Sequence, residues 1–358
     1  MFMKDRIRAT FLELIAINSP YPDEDAVKLY LTQRLDAAGI THQEDAFGNI
    51  IARIPGEGDP LMLNTHFDIP ESTPVAKYEE EGDIIRATGE NILGADPKSG
   101  LAVLLEFVCD LAQTDSNTHR PVECVLTRGE EVGLLGSINL DYSLLKAKEG
   151  LVLDQDGPVS EVVVKAPGFI KIDGTFFGKV VHPSEPHNGI NAFAMMTEAF
   201  SAIGWGFIAE NITWNVGTIH GGTARNSVPG RVSFEAELRG FDMQQLDAKE
   251  QEILNIFNNV ANRFGGRYEG KHQLMFAGYD LDTSDPFFAR LRTIIEQHGG
   301  VPNFLTTFGG SDANIFNANG IRCAAVGSGY YLPHQYTEYV NLSEMAEIYD
   351  VLNTFVRS

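Results

Sequence analysis

The stretch Pro60-Leu61-Met62-Leu63-Asn64-Thr65-His66-Phe67-Asp68 decides how this chain is read. A short apolar run that turns polar at its end reads as a buried strand, Pro60–Thr65, delivering His66 to its carboxyl edge. Residues two apart on an extended backbone face the same side, so Asp68 is placed to meet His66. Working outward, Asn49–Ile54 reads as another strand, and Pro121–Thr127 and Gly150–Leu153 as two more, each followed by an acid. Helical apolar spacing falls between them, over Asp5–Ile17, Asp23–Ala38 and Lys98–Leu111. This alternation predicts an α/β fold with a mainly parallel sheet flanked by helices. In such sheets ligands bind beyond the carboxyl ends of the strands, where these polar residues fall.

From about Val164 the pattern changes. Gly168–Gly178, Thr213–Ile219 and Ser227–Leu238 read as strands, and Asn188–Ile203 and Asp247–Phe264 as helices. Then Pro286–His298, Arg322–Val326 and Leu342–Val356 resume the first style. We therefore expect a discontinuous first domain, residues 1–165 and 273–358, interrupted by an inserted α+β domain, residues 166–272. A length of 358 residues suits two domains.

Composition narrows the function classes. With 43% hydrophobic and 21% charged residues the chain is an ordinary globular protein. A net charge of −22 argues against nucleic acid, whose phosphates need Lys and Arg. Cys109, Cys124 and Cys323 form no CxxC pair and no disulfide framework, and read as core residues. The N-terminus runs into an amphipathic helix without a secretory h-region, and no apolar run reaches the ~20 residues of a membrane span. The expectation is a cytoplasmic protein without a membrane partner.

The chemistry lies in a series of acids and histidines at predicted strand ends. A metal-bound imidazole commonly donates its second N–H to a carboxylate, a role open to Asp68 beside His66. Asp96 sits in the turn Gly94-Ala95-Asp96-Pro97, where a carboxylate can bridge two cations; a cis peptide bond is expected at Asp96–Pro97. Glu130 and Glu131 follow the strand Val122–Thr127, and two adjacent acids can divide their labour, one binding metal and the other moving protons. Asp154 directly follows Leu151-Val152-Leu153 and is a better candidate than Asp156. His334 arrives far downstream in Tyr331-Leu332-Pro333-His334. Two histidines and three carboxylates are the ligand supply for two hydrolytic zinc ions sharing one carboxylate.

The chain resembles the M20 family of di-zinc metallopeptidases, most closely its peptidase T-like (tripeptidase) branch. The likeness rests on Asn64-Thr65-His66-Phe67-Asp68, on Ile92–Gly100, on Gly309-Gly310-Ser311-Asp312-Ala313-Asn314 and on Ile190-Asn191-Ala192. It implies His66 and Asp154 on one zinc, Glu131 and His334 on the other, and Asp96 bridging. It further implies Glu130 as general base and Asp68 as the residue orienting His66. Cobalt or manganese is an alternative to zinc at mixed N/O sites. The inserted unit, residues 166–272, resembles the family's lid or dimerisation domain beside a di-metal catalytic domain. Within it Val181–Pro186 fits the family's HxxxP pattern, which implies His182 as an oxyanion-stabilising group, from its own or a partner subunit. Gly221–Pro229 and Leu238-Arg239 fit the substrate-contacting strands, which implies Asn226 and Arg239 as substrate-binding residues. His187 and His220 read as ordinary surface residues. One departure matters: where the family motif has a second aspartate, this chain has Pro97. The metal site is expected to survive, without any hydrogen bond that carboxylate would make.

The resemblance implies hydrolysis near the N-terminus of short peptides, with a homodimer through the inserted domain as an associated expectation. Deacylase, carboxypeptidase or N-carbamoyl amidohydrolase activity on an N-acyl amino acid or related amide is the alternative, because specificity lives in the pocket rather than the fold. A metal-containing binding module without catalysis is disfavoured by the presence of Glu130.

Overall fold

Val122–Thr127, Leu61–His66, Glu149–Gln155 and Arg322–Gly327 lie side by side in that order, all parallel, in the computed structural model, which describes residues 2–358. The first two are buried along their whole length, as expected of strands covered on both faces. Ile50–Ile54 and then Thr41–Glu44 extend one side antiparallel; Glu161–Ala166 and Asn303–Thr306 extend the other. Helix Ala95–Leu111 packs on Leu61–His66 and Glu149–Gln155, with Met3–Ile15 and Leu342–Phe355 packed against it. The last of these buries Leu342, Met345, Ile348, Val351, Leu352 and Phe355, one helical stripe. Each such side chain contributes roughly 1.5–3 kcal/mol of transfer free energy. Where helix meets sheet the fit is close: a Cβ on Gly100 would stand 2.7 Å from the Leu153 carbonyl oxygen.

The chain forms two compact units. One runs through Val164 and resumes over Leu281–Thr306 and Ser311–Ser358; the other comprises Lys165–Asp280 and Thr307–Gly310. The second unit is a five-stranded antiparallel sheet ordered Gly206–Ala209, Ile212–Gly221, Arg231–Gly240, Gly168–Phe177, Arg267–Phe276. Helices Ala192–Ile203 and Met243–Arg263 contribute to its aromatic core, in which Phe176, Phe200, Phe234 and Phe257 pack edge-on or tilted. Gly174 makes room there, since a Cβ would stand 2.4 Å from the Phe234 ring.

The expected return to the first domain at residue 273 is corrected to 281. The strand Arg267–Phe276 stays paired with Gly168–Phe177 as far as Phe276, so the inserted unit cannot end inside it. Other boundaries move for local reasons. Helix Ala192–Ile203 starts at Ala192 because the Asn191 side chain caps the Phe193 and Ala194 N–H groups. Asp242 does the same for Met243–Arg263, which begins four residues before the expected Asp247. The strand expected over Ser227–Leu238 begins at Arg231.

Tyr78–Glu81, Ile84–Ala87, Tyr330–Tyr331 and Tyr339–Asn341 make a small third sheet in the first unit. All three cysteines are free. Among the described residues no helix is long and apolar enough to cross a membrane.

Candidate metal centre

His66 ends its strand near the centre of the parallel sheet, between Val122–Thr127 and Glu149–Gln155. Its imidazole is buried between three carboxylates. Nδ1 lies 3.3 Å from Asp68 Oδ1, while Nε2 faces Asp96 Oδ1 at 3.1 Å and Asp154 Oδ1 at 3.3 Å. Asp68 also accepts the backbone N–H groups of Glu130 (3.0 Å) and Glu131 (3.1 Å). One fully buried carboxylate thus fixes both the ring and the turn that carries the two glutamates.

Asp96 lies between a left-handed Gly94 (φ 72°) and Pro97, and is itself non-helical (φ −82°, ψ 110°). The Asp96–Pro97 peptide bond is cis. The two carboxylate oxygens diverge: Oδ1 faces His66, and Oδ2 faces His334 Nε2 at 3.4 Å. Glu131 Oε1 lies 3.3 Å from the same His334 nitrogen. His334 stands in a sharp corner, with positive φ at both Leu332 (56°) and His334 (61°). Non-glycine residues adopt that conformation at a cost of about 1–3 kcal/mol.

Three groups of ligand atoms result, each within 4.8 Å of one another: His66, Asp96 and Asp154; Asp96, Glu131 and His334; and His66, Glu130 and Glu131. Asp96 is common to the first two. Asp156 is exposed and bonded to its neighbour Gln155.

The electrostatics fit a cation. Burial, reinforced by the Asp96 charge and opposed by His66, pushes Asp154 up to about 7. Glu130 is raised well above the carboxylate range by burial and the Asp154 charge. Hydrogen bonds to Asp96 and Glu131 raise His334 to about 10. Glu131 Oε1 is buried, with the His334 ring nitrogen 3.3 Å away as its neighbour. So many buried acids facing two imidazoles form a donor set that divalent cations would satisfy, displacing protons as they bind.

Three supporting residues were not singled out as site residues in the sequence. Glu338, almost fully buried, accepts backbone N–H groups from the Asp96 turn. Asp312 is buried at the start of the helix Asp312–Ala318 and accepts the Thr127 and Ser137 hydroxyls. Lys98 is buried, donates to the Ile17 carbonyl at 2.5 Å, and is lowered to about 7 by burial. The stretches containing Asp312 and Lys98 were visible as motifs; Glu338 carried no such signal.

The remaining expected residues lie in the second unit. His182 is exposed, with Nδ1 2.8 Å from Ser184 Oγ and 3.3 Å from the Ser184 backbone nitrogen. Asn226 is exposed in the turn before Arg231–Gly240. Arg239 Nη1 donates to the Phe308 carbonyl (3.0 Å) and Nη2 to Glu237 (3.1 Å), above the Phe169 ring.

Known proteins place this arrangement. Residues 164–264 match the peptidase dimerisation domain of the M20 type, and residues 49–161 match peptidase family M28. An uncharacterised protein of Bacillus subtilis, YqjE, is 30% identical, with 97% of this chain and 96% of that one aligned. The chain belongs to the M20 family of metallopeptidases. Among solved structures of M20-type relatives, a tripeptidase from Staphylococcus aureus superposes with a TM-score of 0.93 at 28% identity, covering 100% of this chain and 98% of that one. The aminopeptidase PepT from Bacillus cereus gives a TM-score of 0.89 at 28% identity, with 99% and 98% covered.

Proposed function

We propose that this chain is a di-zinc aminopeptidase that releases the N-terminal residue of short peptides. The observation that carries the proposal is the divergence of the Asp96 oxygens toward His66 and His334, in a chain similar over its whole length to a tripeptidase and an aminopeptidase. His66 and Asp154 would hold one cation, Glu131 and His334 the other, and Asp96 both. When bound, the cations make water nucleophilic at neutral pH and polarise the scissile carbonyl.

The protein's own groups do the rest. Asp68 holds the proton of His66 Nδ1, leaving Nε2 as the ligand atom. Glu130 takes a proton from the attacking water and passes it to the departing amine. His182 Nε2–H is a donor for the developing oxyanion. Asn226 and Arg239 bind substrate; a peptide carboxylate would take the place of Glu237 on Arg239 Nη2. The dimerisation-domain match supports a homodimer through the inserted unit. Free cysteines suit a reducing compartment, and we place the enzyme in the cytoplasm.

The test is elemental analysis for metal, with activity on a tripeptide panel before and after chelation. Two metals per chain and chelator-sensitive release of the N-terminal residue are expected. Two metals without tripeptide cleavage would move the assignment to a deacylase or other amidohydrolase. No bound metal, and no activity on adding zinc, cobalt or manganese, would sink it.

A further inference from the structure

Glu338 has no part in the chemistry above, yet its side chain is committed entirely to one turn. Oε2 accepts the backbone N–H groups of Leu93 (2.7 Å) and Gly94 (2.8 Å), and Oε1 accepts that of Asp96 (3.0 Å). The residue is 1% exposed, and the buried Lys98 lies close enough to feel its charge. Its own carbonyl accepts the Ala87 N–H at 2.8 Å, which seats it beside the small third sheet. His334 lies four residues upstream on the same loop.

A buried carboxylate is costly unless its oxygens are satisfied, so three hydrogen bonds from a single turn specify that turn strongly. The N–H groups involved are those that a starting helix leaves unpaired. Asp96 does not have helical backbone angles, so nothing else in the helix fixes where its carboxylate goes. A glutamine could not substitute: one oxygen would accept, but its amide nitrogen would face another N–H.

We propose that Glu338 is a positioning residue that locks the Asp96 turn to the His334 loop, so that these two ligands meet the same cation at fixed separation. The inference rests on the metal reading above. It assigns Glu338 no contact with substrate or metal.

The test compares wild type with Glu338→Gln and Glu338→Asp. Backbone amide exchange is followed at Leu93, Gly94 and Asp96 in the metal-free protein, Zn2+ alone is titrated by calorimetry, and kcat and KM are measured on a tripeptide. In Glu338→Gln those three amides exchange at least about tenfold faster, and one of two Zn2+ binding events weakens by roughly 10–100-fold while the other changes less than about threefold. kcat falls with KM nearly unchanged, and Glu338→Asp recovers part of the loss. Equal weakening of both events alongside a lower Tm would mean a merely structural role and overturn the proposal. If Glu338→Gln does not fold, Glu338→Asp carries the comparison, and free-loop exchange of the three amides in wild type overturns it. A wild type that takes up no metal sinks the metal reading and this inference together; one that takes up two, with Glu338→Gln indistinguishable from it, sinks this inference alone.

Discussion

Asp68 Oδ1 accepts the backbone N–H of Glu130 at 3.0 Å and stands 3.3 Å from His66 Nδ1. The imidazole of the proposed ligand His66 and the turn bearing the proposed base are thus registered against one atom. Asp68→Asn replaces one acceptor oxygen by an NH2 group facing a donor. We expect kcat/KM and metal affinity each to fall by about 10–100-fold. Steady-state kinetics with a parallel metal titration checks this, and unchanged values for both would remove the orienting role.

Glu130→Gln keeps size and removes the proton acceptor. Turnover should fall by about 10²–10⁴-fold while two metals per chain remain, because general acid–base catalysis supplies an effect of that size. Retained turnover with full metal content would rule Glu130 out as the base.

Chelated protein should lose stability as pH rises between about 5 and 8. Burial raises Asp154 to about 7 in the fold, above its unfolded value, so the folded chain holds this proton more tightly and gives up stability as it ionises. His334, raised to about 10 chiefly by its hydrogen bonds to Asp96 and Glu131, acts in the same direction: its contribution is complete below the ordinary histidine range and is lost as pH rises toward 10. Asp96, held at about 2 by its two imidazoles against the opposing effect of burial, contributes its stability above the ordinary carboxylate range and loses it only in acid. Metal-loaded protein should show a flatter profile. Melting curves of chelated and loaded protein at pH 5, 6, 7 and 8 compare the two, and a chelated Tm that rises across that range would contradict the expectation.

Gly100→Ala places a methyl group 2.7 Å from the Leu153 carbonyl oxygen, in backbone that cannot step aside. The cost should be about 1–3 kcal/mol of stability. Because Leu153 precedes Asp154, metal affinity should weaken as well. Denaturant unfolding and metal titration measure the two effects; a variant as stable as wild type would show that helix and sheet separate easily there.

Much of the candidate site was legible because its proposed ligands sit where apolar runs stop. His66 and Asp154 are marked in that way, and the Gly-Ala-Asp-Pro turn by its glycine and proline. Glu338 was not legible: the contact joins residues 242 to 245 apart, and no local pattern encodes it. The strand Arg267–Phe276 was missed for a different reason. Most of its residues are exposed, so it lacks the alternation that betrays a half-buried strand, and the domain boundary was placed too early. The helix Asp312–Ala318 is seven residues long, too short for a periodic signal, although its serine cap lies in a motif already noted.

The place of Arg322–Gly327 in the sheet bears on how the protein is made. It lies between Glu149–Gln155 and Glu161–Ala166, two strands adjacent in sequence that never pair with each other. During synthesis these two must therefore be held apart, or left unpaired, while the whole inserted unit emerges and folds. An open strand edge in that interval is a site for wrong partners. The strand that fills it comes only after that unit and just ahead of His334, so the sheet closes and the last proposed ligand arrives late in synthesis.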